Sequence, residues 1–301
     1  MNPPAVEGEI RTPDPSMSGP VTPSMTPLVA PGSAPLGTER QEEPGSPVSG
    51  AILFARYAYP PNELGYCGPR DSRALLDYGA DGTVDAGLVQ LAQGFAGAWP
   101  YLELIARTTS IRSPLDRRVV EAYWLGSSLL DEIEMSAFGN ALMERFRRKT
   151  GTKGWSSMAE AVPAGAVPSH SFHVFGVYPW VGLLKTGRAQ APLEHLDKCR
   201  IRWGRVVSTE GDQVTVLSRP LTYEHGDIGL GDLRPETVRR SLDGVGFLDP
   251  FRPGEWVAMH WGWVCDRLSR RQLRMLQRST LRQLDITNRR VVHSGPRNAL
   301  G

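Results

Sequence analysis

The stretch CRIRWGRVVSTEGDQVTV, Cys199 to Val216, opens on a lone cysteine and then alternates branched apolar with polar residues on either side of Glu210, Gly211 and Asp212. That grammar predicts two short strands joined by a glycine turn. Cys199 then sits at the start of the first strand. An unpaired cysteine most often serves as a small buried hydrophobe. As a thiolate it is a soft metal ligand, and the flanking Lys198 and Arg200 favour that form.

Downstream, QVTVLSRPLTY and PGEWVAMHWGWVCDRL read as further strands, and RLSRRQLRMLQRSTLRQLDITNRR as a basic terminal helix. On that helix Leu273, Leu276, Thr280, Leu281 and Leu284 share one face, with Arg270, Arg271, Arg274, Arg278 and Arg282 toward the other. Short strands followed by one helix predict a small, partly closed OB-like barrel. Upstream, SFHVFGVYPWVGLL is dense in aromatic and branched residues and reads as a buried strand ending at Pro179. On a strand His170 and His173 face opposite sides, which makes them a poor metal clamp.

From Ala51 to about Gly154 the pattern is helical, and three to five packed helices are expected. Thr83 or Asp85 is the candidate cap of one, Pro100 splits or kinks it, and Ser113 with Pro114 starts the next. A further helix over EMSAFGNALMERFRRKTG ends at Gly151. FARYAYPPNELGYCGP, with two adjacent prolines, reads as an ordered loop laid over the helices, or as a binding loop presenting Tyr59, Asn62, Tyr66 and Cys67.

Residues 1–48 contain eleven of the 25 prolines and almost no aromatic or branched residues, so they read as a disordered tail. The expected organisation is α+β: the tail, a helical domain over 49–165, and a barrel domain with a C-terminal helix over 166–301. Cys67, Cys199 and Cys265 are an odd number without CxxC spacing, which argues against a disulfide framework or zinc knuckle. No apolar run reaches membrane-spanning length, and a cytoplasmic location is expected. No phosphate loop, dinucleotide fingerprint or HExxH motif is present.

Cys199, Gly204, Val206, Val207 and the turn at Gly211 and Asp212, followed by Gly254, Glu255, His260, Gly262 and a Leu-rich helix, stand in the order of the hydrogenase-maturation chaperone family HypC, also called HupF. The C-terminal third resembles that family, with Trp203 where the family has proline. The whole chain resembles an uncharacterised actinobacterial family associated with hydrogenase gene clusters.

The resemblance implies an accessory role in building nickel-iron hydrogenases, in which Cys199 and His260 hold an iron carrying cyanide and carbon monoxide. The partner would be a hydrogenase maturation protein or the hydrogenase large subunit, met through Trp203, Gly204, Trp261, Gly262, Tyr66 and Cys67. Such a protein binds, carries or protects and does not turn over a substrate. One alternative is a nucleic-acid-binding barrel using exposed Trp203, Trp256, Trp261 and Trp263 beside the basic helix. A third reading makes Cys67 a nucleophile with His170 or His173 as its base.

Overall fold

In the computed structural model, which describes residues 48–147, 152–184 and 189–293, the helices come first and do not stop near residue 165. They are α1 (Gly50–Glu63), α2 (Ser72–Asp81), α3 (Ala86–Gln93), α4 (Trp99–Thr108), α5 (Arg117–Leu125), α6 (Met135–Phe146), α7 (Thr152–Ala161), α8 (His170–Phe172), α9 (Trp180–Leu184) and α10 (Gln190–Cys199). Strands follow: β1 (Arg202–Glu210), β2 (Gln213–Ser218), β3 (Leu221–Glu224), β4 (Asp227–Leu230), β5 (Arg234–Arg239), β6 (Ser241–Leu242), β7 (Val245–Gly246), β8 (Trp256–His260) and β9 (Trp263–Arg267). The long helix α11 (Arg270–His293) ends the described chain. The class is α+β, with helices, a sheet region and a C-terminal helix. The expected tail and the end of the helix at Gly151 lie outside the described residues.

Local signals explain much of this order. Asp85 caps α3 by accepting from Leu88 N–H, and Pro100 stands in the first turn of α4, so the long apolar stretch divides there. The next start falls later than Ser113: Asp116 accepts from the Arg118 N–H, and Ser113 with Pro114 instead belongs to the preceding turn. Six α-helices precede residue 147, more than the three to five expected, because Gly and Asp caps cut the helical stretches short.

Two adjacent prolines do not stop α1, which runs through Pro60 and Pro61 to Glu63. They sit in its last turn, where the loss is confined to donors for carbonyls four residues back. Segment 170–184 is helical where a strand was expected. Ser169 accepts from Phe172 N–H to start a turn that passes into a π-helical turn over His173–Val177. Phe172, Val174, Phe175 and Leu184 are buried, and that packing overrides the strand preference of the segment.

Five strands hydrogen-bond in the order β1-β2-β5-β9-β8, and β8 pairs back onto β1. The join between β5 and β9 is one parallel pair, Arg239 with Trp263. The expected turn at Gly211 links β1 to β2. Gly204 lies inside the ring, where a Cβ would come 2.9 Å from the Val216 side chain. On α11, Leu273, Leu276, Thr280 and Leu284 are buried as expected, whereas Leu281 is 55% exposed.

Residues Ser46–Gly301 group as one compact unit. The largest cluster of buried side chains runs from Ala51 to Ile286 and includes Ile201, Trp203, Ala258, Trp263 and Cys265 together with the helices. A boundary near residue 165 therefore does not divide the core. Tyr59 illustrates the join: it leaves α1 to pack edge-on against Trp263 of β9, 5.0 Å between ring centroids.

Candidate metal centre

Cys199 closes a helix instead of opening a strand, being the last residue of α10. The chain there is pinned by buried charge. Asp197 accepts from the Arg200 guanidinium at 2.9–3.0 Å and from Leu221 N–H, and Arg202 donates to Glu236 at 2.8 Å. Arg200 also donates to the Arg219 carbonyl. These contacts turn the guanidinium of Arg200 to Asp197 and away from service to the thiol. Burial pushes the Cys199 thiol up to about 12, with a weaker opposing pull from the Trp261 indole. The expected thiolate-favouring effect of Lys198 and Arg200 is absent because Lys198 is exposed and Arg200 is neutralised.

His260 ends β8 and reaches α1. Pro61 has no N–H to donate to the Tyr57 carbonyl four residues earlier, and His260 Nδ1–H donates to it instead, at 2.8 Å. The tautomer is thereby set, and Nε2, buried, keeps a lone pair with no hydrogen-bond partner. His170, at the start of α8, donates Nε2–H to the Cys199 carbonyl at 2.8 Å and retains the lone pair on Nδ1. One donor atom from each of His170, Cys199 and His260 lies within 4.8 Å of the others. A tetrahedral ion with bonds of about 2.0–2.3 Å needs donor separations near 3.3–3.8 Å, so the widest gap must close by about 1 Å.

The chemistry of the trio suits a transition metal. Burial holds His170 neutral, down to about 4, and lowers His260 well below the usual histidine value. Both imidazoles are neutral at neutral pH, and each has one nitrogen fixed by a carbonyl, as metal-binding histidines usually do. The thiol must lose its proton when metal enters.

The trio opens into a cavity of about 490 Å³. Aromatic rings dominate it: Phe95, Tyr123, Trp124, Tyr178, Trp180 and Trp261. At one side Tyr66 stacks on Trp261 at 4.3 Å, and His195 lies between Trp261 at 4.8 Å and Trp180 at 4.2 Å. Trp261 and Gly262 form the two-residue turn between β8 and β9 with φ of 50° and 75°. Positive φ at both positions is the requirement of the tight hairpin turn, and it carries the indole over the cavity.

Sequence-predicted residues divide accordingly. Cys199, His260, Tyr66, Cys67 and Trp261 line the cavity. Trp203 and Gly204 do not: Trp203 is buried in the core under Arg200, and Gly204 is inside the ring. Asn62 staples the loop after α1 by donating to the Cys67 and Pro69 carbonyls, and Tyr59 is core, so neither is presented for binding. Trp203 and Trp263 are buried and Trp256 and Trp261 half-buried, so the four make no exposed stacking platform. Cys67 does share the cavity with His170 and His173, but burial pushes its thiol up to about 12, opposite to an activated nucleophile.

The residue missed from the sequence is His170. On a strand it opposes His173; on a helical turn residues three apart share a side, and both line the cavity. The signal was present in Ser169, the cap that makes SHSFH a helix start.

The match to a family model covers residues 46–294. This chain belongs to the DUF6390 family, a family of unknown function. No curated protein and no solved structure matches it.

Proposed function

We propose that this member of the DUF6390 family is a metal-binding accessory protein that holds a transition-metal ion, or a small iron complex, on His170, Cys199 and His260. The observation that carries the reading is the convergence of three donors from three separate elements, each imidazole anchored by a backbone carbonyl, in a cavity far larger than a bare ion.

Within that reading, a role in nickel-iron hydrogenase maturation is the specific form. Its support is that Cys199 and His260, the two residues implied by the HypC resemblance, meet at one site, and that an iron carrying cyanide and carbon monoxide is small enough for the cavity. An OB-like barrel belongs to the same proposal. In chain order the five ring strands run first, second, third, fifth, fourth and back to first. Tyr66, Cys67 and Trp261 at the cavity are the residues through which a maturation protein or hydrogenase large subunit would meet it.

Anaerobic purification with metal analysis and infrared spectroscopy tests the proposal. Iron with cyanide and carbonyl bands, lost in Cys199→Ser and His260→Ala, is the expected result. A protein that takes up no transition metal, even when reconstituted anaerobically, overturns it.

A further inference from the structure

Apart from the donor trio, the cavity holds one unsatisfied polar group among the described residues. Among its lining side chains, Trp124, only 4% exposed, has an indole N–H buried with no hydrogen-bond partner, whereas the Trp261 indole is turned to the Cys199 thiol. An unpaired buried donor is costly, and one facing an aromatic cavity asks for an explanation. Trp124 is held beside the donor trio: its ring is 4.7 Å from His170 and 5.7 Å from His260. Trp261 directly follows His260 in the chain and lies next to the Cys199 sulfur.

Charge points the same way. A divalent ion on one thiolate and two neutral imidazoles retains a net charge of about +1. No Asp, Glu, Lys or Arg side chain among the described residues lines the cavity to balance it. Arg145, over the Tyr101 ring at 5.0 Å from its centroid, adds to the positive side. A charge left unbalanced in a poorly solvated, aromatic-walled space is costly.

We infer that the cavity takes a small monocarboxylate with an apolar or aromatic body, one oxygen directed to the metal and the other accepting from the indole N–H of Trp124. The body lies among Phe95, Tyr178 and Trp180, in a space within the usual range of about 300–1,000 Å³ for small-molecule sites. The inference rests on the metal reading, and its ligand closes both deficits at once: it supplies the missing negative charge and the missing acceptor.

Cobalt(II) reports on both levels, because its thiolate charge-transfer and ligand-field bands appear only when the ion is bound. The full chain is loaded anaerobically with cobalt(II) and titrated with benzoate, and separately with benzamide, its neutral counterpart. Saturable band shifts with benzoate and none with benzamide are expected. Trp124→Phe should keep the cobalt spectrum and weaken benzoate by about tenfold or more, the effect of losing a hydrogen bond to a charged group. Trp124→Met, which also lacks the donor, is the companion variant should Trp124→Phe fail to fold. Cobalt bands that benzoate leaves unmoved, or that benzamide moves equally, overturn the carboxylate inference and leave the metal site standing. Absence of a cobalt–thiolate band overturns the metal reading and this inference with it.

Discussion

Two buried polar regions meet at Cys199, and they are built to opposite standards. On the strand side, Asp197, Arg200, Arg202, Glu236 and Ser218 form a network in which charges are paired and carboxylates are multiply bonded, Arg202 Nε being the exception. On the cavity side there is no ion pair among the described residues, and His260 Nε2 and Trp124 Nε1 are unpartnered. The difference separates a region that holds the chain from one that waits for a ligand, since folded proteins leave few buried polar groups unpaired without cause.

Breaking the paired side should produce the largest effect on folding. Asp197→Ala leaves Arg200 and Arg202 buried with reduced compensation and should cost about 3–5 kcal/mol, read as a fall in denaturant midpoint. The open side should behave inversely. Cys199→Ser or His170→Ala should weaken cobalt or zinc binding by at least about a hundredfold, with stability reduced by only about 1–2 kcal/mol. Competition with a chromophoric chelator measures the first quantity and thermal melts the second. If Cys199→Ser melts like Asp197→Ala, the contrast between the regions fails.

Acid should reveal the cost of keeping imidazoles neutral. His170 falls to about 4 and His173 to about 3 through burial, from 6.5, so the unfolded chain takes up these protons first. Stability is full above 6.5 and drains away as pH falls toward 4, by up to about 3 kcal/mol from His170 alone. Asp266 opposes this: burial raises it from 3.8 to about 6, so its contribution is full below 3.8 and is lost as pH rises through 6. Histidines outnumber it, and net destabilisation between pH 6.5 and 4 is the expected denaturation result. Metal binding sharpens the picture at neutral pH. With the free thiol near 12 and the imidazoles already neutral, calorimetry in buffers of different ionisation enthalpy should show about one proton released per ion.

The smallest effect should come from Pro61→Ala. The restored N–H would compete with His260 for the Tyr57 carbonyl, loosening the imaging of Nε2 toward the site, and metal affinity should drop by about three- to tenfold. An unchanged affinity would mean that the carbonyl does not position His260.

Legibility in the sequence followed the range of the forces involved. The β1–β2 turn at Gly211, the Asp85 cap and most of the buried face of α11 depend on neighbours a few residues away, and their residue types announce them. Segment 170–184 was misread because its branched and aromatic residues serve a helix enclosed by other elements, a fact that no local pattern contains. That error also hid His170. For Cys199 and His260 the resemblance named the residues, yet Cys199 was placed on a strand, since the helix ahead of it, QAPLEHLDKC, carries a proline in its first turn. Trp124, deep in α5, gave no sign of an unpaired indole, because pairing is a property of the finished packing.

The bond from His260 to the Tyr57 carbonyl spans 203 residues of chain. During synthesis α1 therefore emerges long before its proline-made vacancy can be filled, and the three donors are complete only when β8 has been made and docked. On the proposed metal reading, loading would be a readout of chain completion: a ribosome-bound product that ends before residue 260 can present His170 and Cys199 but cannot assemble the trio.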